Sequence, residues 1–189
     1  MSSNNAIAEE YRSLLLKLAK QSIQNGLQTG KPLPVNVEDY PSALQQKCAT
    51  FVTLEINGQL RGCIGTLEAE RPLVLDVVKN AFSAAFNDPR FPSLKEFEFE
   101  KLHYHISVLH PAEPMQFDSE SDLVGQIRPG IDGLILEDGY HRGTFLPSVW
   151  ESLPDPHDFW IHLKHKAGLP PNYWSDTLHV SRYTTESFS

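Results

Sequence analysis

The stretch Phe51-Val52-Thr53-Leu54-Glu55-Ile56-Asn57-Gly58-Gln59-Leu60-Arg61-Gly62-Cys63-Ile64-Gly65 decides how this chain is read. Asn57-Gly58 is a strong hairpin signal, because both residues tolerate the positive φ angles of a two-residue loop. The flanking segments, Phe51 to Ile56 and Leu60 to Leu67, read as strands. In that hairpin Ile56 faces Gln59, Leu54 faces Arg61 and Val52 faces Cys63. Arg61 and Cys63 then share a strand face, two residues apart.

Upstream, Ile7, Tyr11, Leu14, Leu15, Leu18 and Ile23 recur at helical spacing, with Glu9 and Glu10 in the first turn. The pattern predicts a helix from Ala6 to about Gly26, ended by Gly26 and Gly30, then an extended Lys31-Pro32-Leu33-Pro34 link. A short helix is expected near Pro41 to Lys47. Downstream, Pro72 opens a helix whose stripe of Leu73, Val74, Val77, Val78, Ala81, Phe82 and Ala85 stops before Asp88-Pro89-Arg90-Phe91-Pro92. Leu102, Tyr104, Ile106 and Val108 alternate with His103, His105 and Ser107 as in a strand with one apolar face. A second hairpin is predicted around Asp138-Gly139, a helix from Asp158 to Ala167 and a last strand from Thr177 to Tyr183. Helices and hairpins alternate without a βαβ rhythm, so the expected class is α+β: a mainly antiparallel sheet flanked by helices, with a smaller lobe.

The 189 residues suffice for a single domain spanning 1–189. With 16 Lys and Arg against 24 Asp and Glu, the net charge of -8 and the lack of a basic stripe argue against nucleic acid as a partner. The densest basic patch, His162-Leu163-Lys164-His165-Lys166, reads as the wet face of a helix. No apolar run approaches a membrane span, and no secretory signal is visible. Two cysteines without a Cys-x-x-Cys pattern fit a reducing compartment, so a cytoplasmic location and free thiols are expected.

Several segments together resemble the AMMECR domain family, known in prokaryotes as AmmeMemoRadiSam system protein A. They are Phe51-Val52-Thr53-Leu54, Asn57 to Gly65, Arg71-Pro72-Leu73, Asp88-Pro89-Arg90-Phe91, Ser107-Val108-Leu109 and Lys166-Ala167-Gly168-Leu169. The resemblance implies an α+β fold with a smaller lobe, and partnership with Memo-type and radical S-adenosylmethionine proteins. It supplies no catalytic role. Ala49 and Ser148 depart from the pattern, where a glycine and a glutamine are common.

Cys63 is the leading candidate for chemistry, as a nucleophile, a redox thiol or a ligand contact. Gly62 and Gly65 leave room for a ligand or another backbone beside it, and Arg61 would favour the thiolate. The competing reading is a small apolar filler. Asp88, at a helix C-terminus, calls for a cation, with Arg90 and Arg61 as candidates. It is read either as an acid-base group or as half of a structural ion pair, and the arginines as clamps for a ligand carboxylate. The site is therefore expected at Cys63 and Asp88, with Arg61, Gly62, Gly65 and Arg90 contacting an unknown small molecule. A non-catalytic adaptor using the same surface is the alternative. His103 with His105, and His162 with His165, each lack a third metal ligand in sequence, so no metal is assigned. Ser148 has no Gly-x-Ser-x-Gly elbow, and no dinucleotide or P-loop motif implies a cofactor. Trp150, Trp160 and Trp174 read as packing aromatics.

Overall fold

The computed structural model describes residues 6–189. They form two compact units, the first running to Leu109 and including Glu186–Ser189, the second comprising His110–Thr185. In chain order the regular elements of the first half are α1 (Glu9–Thr29), α2 (Ser42–Gln45), β1 (Ala49–Ile56), β2 (Gln59–Gly65), α3 (Leu73–Phe86), α4 (Glu96–Phe99) and β3 (Leu102–Leu109). There follow β4 (Glu113–Pro114), α5 (Glu120–Gln126), β5 (Gly133–Asp138), β6 (His141–Phe145), α6 (Pro156–Lys166), β7 (His179–Tyr183) and β8 (Thr185–Phe188). The α+β class is as expected. Strand β8 has no counterpart in the sequence reading.

In the first unit the sheet order is β2-β1-β3-β8, with β1 antiparallel to both β2 and β3. Helices α1 and α3 cover one face. Val52, Leu54, Ile106 and Val108 from the sheet meet Leu15, Leu18 and Ile23 of α1 and Val74, Val77, Val78 and Ala81 of α3 in one core. Helix α1 ends at Gly30 in the left-handed conformation, its N–H returning to the Gly26 carbonyl. Gly26 itself does not stop the helix. It lies inside the last turns, where a Cβ would come within 2.3 Å of the Phe86 ring, so its role is close helix packing.

Asn57 and Gly58 adopt φ of 53° and 74°, the mirror-image turn that their types favour. Ile56 faces Gln59 as expected, but the register shifts beyond Glu55, which faces Leu60 while Leu54 faces Gly62. Arg61 is the extra residue of this bulge. Cys63 therefore faces Thr53, not Val52. Because side chains alternate, a one-residue shift moves every following side chain to the other face. Gly62 takes the place beneath α3, and Cys63 stands on the opposite face with Thr53.

In the second unit the order is β4-β7-β5-β6. Trp150 stacks on Phe159 with centroids 3.8 Å apart, and Trp160 is fully buried, so these indoles do pack a core. Lys164 is not on a wet helix face. It is buried and paired with Glu120, which also accepts the Trp160 indole N–H at 2.8 Å. Both ring and ammonium share one carboxylate, which a pattern of charges along the helix does not reveal.

Candidate functional site

Cys63 lies on β2, an edge strand, and its N–H and C=O face away from β1. Such groups invite pairing with another chain unless something covers them. Here the segment after α3 covers them with side chains. Asp88 Oδ2 accepts the Cys63 N–H at 2.9 Å, and Arg90 Nη2 donates to the Cys63 carbonyl at 3.3 Å. The two side chains are joined to each other, with Arg90 Nε to Asp88 Oδ1 at 3.0 Å and Nη2 to Oδ2 at 2.7 Å. Asp88 is buried, and the hydrogen bonds from Arg90 are the main reason its carboxyl titrates well below the usual carboxylate range, aided by the Cys63 and Arg90 N–H groups. The pair imitates a neighbouring strand and fixes the Cys63 backbone.

Asp88 thus finds the cation its place at a helix end demands, and that cation is Arg90. Arg61 is engaged elsewhere. Its Nε donates to Glu98 Oε1 at 2.7 Å and its Nη2 to the Pro92 carbonyl at 2.8 Å, holding Glu98 below its ordinary titration range. The bulge that re-aims Cys63 also sends Arg61 to α4, so the expected Arg61-to-thiol arrangement is replaced. Phe91 lies between the two cations, its ring centroid 5.8 Å from the Arg61 guanidinium carbon and 5.5 Å from that of Arg90. Arg90 keeps its side chain 55% exposed while bonded to the Cys63 carbonyl.

The space expected at Gly62 and Gly65 is filled from within. A Cβ on Gly62 would sit 2.0 Å from the Ala84 carbonyl of α3, and one on Gly65 would sit 2.2 Å from the Phe51 ring. Both glycines admit internal neighbours. Cys63 is half-buried, with Sγ 3.2 Å from Thr53 Oγ1. Cys48, the other free cysteine, has its thiol pushed up by burial first and by the charge of Asp76 second.

A second polar cluster escaped the sequence reading. Buried Asp76 on α3 accepts from Thr50 Oγ1 at 2.6 Å, Thr66 Oγ1 at 3.0 Å, Arg71 Nε at 2.8 Å and Asn80 Nδ2 at 3.0 Å. The signal was present, since Asp76 and Asn80 lie four apart beside an apolar stripe where polar residues need partners. His105 Nε2 contacts Glu55 Oε2 at 3.2 Å, while His162 Nδ1 turns to the Asp158 carbonyl at 2.8 Å. Among the described residues no three His, Cys, Asp or Glu side chains gather as a metal site. Ser148 is exposed in a short helical turn, Pro147–Glu151. No described helix is long and apolar enough to cross a membrane.

These features define an α+β protein built on a bulged hairpin whose edge is clamped by an Asp-Arg pair. The AMMECR1 family model matches residues 16–188, and the chain belongs to that family. A relative from Methanothermobacter thermautotrophicus is 39% identical over 180 residues, covering 92% of this chain and 91% of its own length. Protein MJ0810 of Methanocaldococcus jannaschii is 34% identical, with 95% and 90% covered. The crystal structure of the uncharacterized protein PH0010 from Pyrococcus horikoshii superimposes with a TM-score of 0.88 at 36% identity, covering 96% of this chain and 92% of the other.

Proposed function

We propose that this chain acts on a small molecule at Cys63, as an enzyme or as the substrate-binding component of an enzyme complex. The observation that carries the reading is the Asp88-Arg90 clamp on the backbone of a half-buried cysteine. It fixes the thiol in place and leaves the Arg90 guanidinium exposed beside it, suited to a ligand carboxylate or carbonyl. Asp88 serves as a positioning group, because both oxygens are occupied and the carboxyl stays ionised. A metabolite library screened by thermal shift and by protection of Cys63 from iodoacetamide tests the proposal. It expects at least one compound that raises the melting temperature of wild type, slows Cys63 alkylation and loses its effect in Cys63→Ser. Compounds that stabilise both proteins equally contradict it.

A second reading rests on Leu60 and Phe97, which are 42% and 72% exposed and flank the Arg61-Glu98 bridge on β2 and α4. Exposed apolar side chains beside an edge strand suit an adaptor docking surface. Memo-type and radical S-adenosylmethionine proteins are the partners to try. Co-purification lost in Leu60→Asp and Phe97→Asp but kept in Cys63→Ser favours this reading over the first.

A further inference from the structure

The sheet face that carries Cys63 continues across the neighbouring strands. Thr53 faces Cys63 on one side and His105 on the other, so the three side chains stand in a row across β2, β1 and β3. His105 Nε2 lies 3.2 Å from Glu55 Oε2, also on this face. In the tautomer that donates Nε2–H to the Glu55 carboxylate, Nδ1 keeps its lone pair. A carboxylate that orients an imidazole and stabilises its protonated form is what makes histidine an effective base. Beside this pair, at the end of the sheet, lies a solvent-open cleft of about 520 Å³, lined by Glu55, His103, His105, Leu102, Tyr104 and Leu16. That volume is in the range of small-molecule sites.

Two strand spacings separate Cys63 from His105, roughly 10 Å, too far for the imidazole to take the thiol proton directly. The charges along the row differ in sign. Exposed Arg90 stands at the Cys63 end, and Glu55, half-buried, stands with His103 and His105 at the other. Building on the thiol site proposed above, we propose that His105, oriented by Glu55, is the proton-accepting residue of that site. Its substrate is then an extended small molecule, with an anionic or carbonyl end toward Arg90 and Cys63 and an amino group toward His105 and Glu55. The ammonium N–H proton passes to His105 Nδ1, the bonding pair stays on nitrogen as the free amine, and the imidazolium is held by the Glu55 carboxylate.

Chloroacetamides of equal length with ammonium, trimethylammonium or methyl tails test this on the full chain, with Cys63 labelling followed by mass spectrometry. The two cationic tails have the same charge, and only ammonium donates a hydrogen bond. Ammonium is expected to label about fivefold faster than trimethylammonium, the size of one net hydrogen bond. His105→Phe, which has no acceptor at this position, removes this preference. Equal rates for the two cationic tails in wild type, or a preference that survives in His105→Phe, overturn the proposal and leave the thiol site standing. A Cys63 that iodoacetamide does not reach overturns the thiol site and this extension together.

Discussion

Helix α3 carries one buried aspartate near its start and another lies just beyond its end, and the two make opposite use of an arginine. Asp76 is enclosed by Thr50, Thr66, Arg71 and Asn80, all bonded to it. Asp88 turns one oxygen to the Cys63 backbone and binds an arginine that remains half-exposed. A saturated, enclosed carboxylate holds a helix to a sheet. A carboxylate that fixes a backbone and presents a cation to solvent prepares a surface. Burial is the same for both, so the partners, and what they leave exposed, separate structure from function.

Breaking each cluster should therefore have a different outcome, beginning with the largest. Asp76→Ala takes the shared acceptor from buried Thr50 and Asn80 and from the partly exposed Arg71, and is expected to cost about 3 kcal/mol or more, at about 1–3 for each donor left unsatisfied, seen as a lower denaturant midpoint. A loss under about 1 kcal/mol would show that the cluster is not holding the fold. Gly62→Ala drives a methyl into the Ala84 carbonyl, where both partners are backbone-fixed, and should cost about 3 kcal/mol, the upper end of the usual range for an added methyl.

Asp88→Asn comes next, at about 1.5–3 kcal/mol for a charged hydrogen-bonded carboxylate. Its pH dependence sharpens the comparison. The folded carboxyl titrates below its unfolded value of about 3.9, so its stability is fully present above that pH and fades as pH falls through the folded value. The gap between wild type and Asp88→Asn should be constant near neutrality and close in acid. A gap that persists unchanged at low pH contradicts the assignment. Arg90→Gln leaves the buried Asp88 carboxylate without its cation and should cost a comparable amount, about 1.5–3 kcal/mol, while altering protection of Cys63 by anionic ligands.

Sequence periodicity revealed α1, α3, β3 and both hairpins, because their apolar stripes follow the helix and strand repeats. Asn57-Gly58 fixed the turn. The bulge at Arg61 was not legible, since nothing in Leu60-Arg61-Gly62 says which residue is left unpaired. The Ala84 carbonyl over Gly62 decides it, and that contact joins residues distant in sequence. Hence Cys63 and Arg61 could both be named, but their supposed proximity could not survive. Asp88 with Arg90 was readable from local spacing, whereas the Cys63 backbone as their shared target required the tertiary fold. Burial of Lys164 was hidden for the same reason, as Glu120 lies in a different helix.

The most direct measurement is the alkylation rate of each cysteine in the native protein, followed site by site with iodoacetamide near neutral pH. Both thiols are half-buried, but thiolate is the reacting form, and desolvation and then the Asp76 charge suppress it at Cys48, whereas Cys63 has Arg90 at its carbonyl. Cys63 is predicted to react several-fold faster than Cys48, because less of the Cys48 thiol is available as thiolate. Equal rates, or faster modification of Cys48, would contradict the claim that the bulged hairpin presents Cys63 for chemistry.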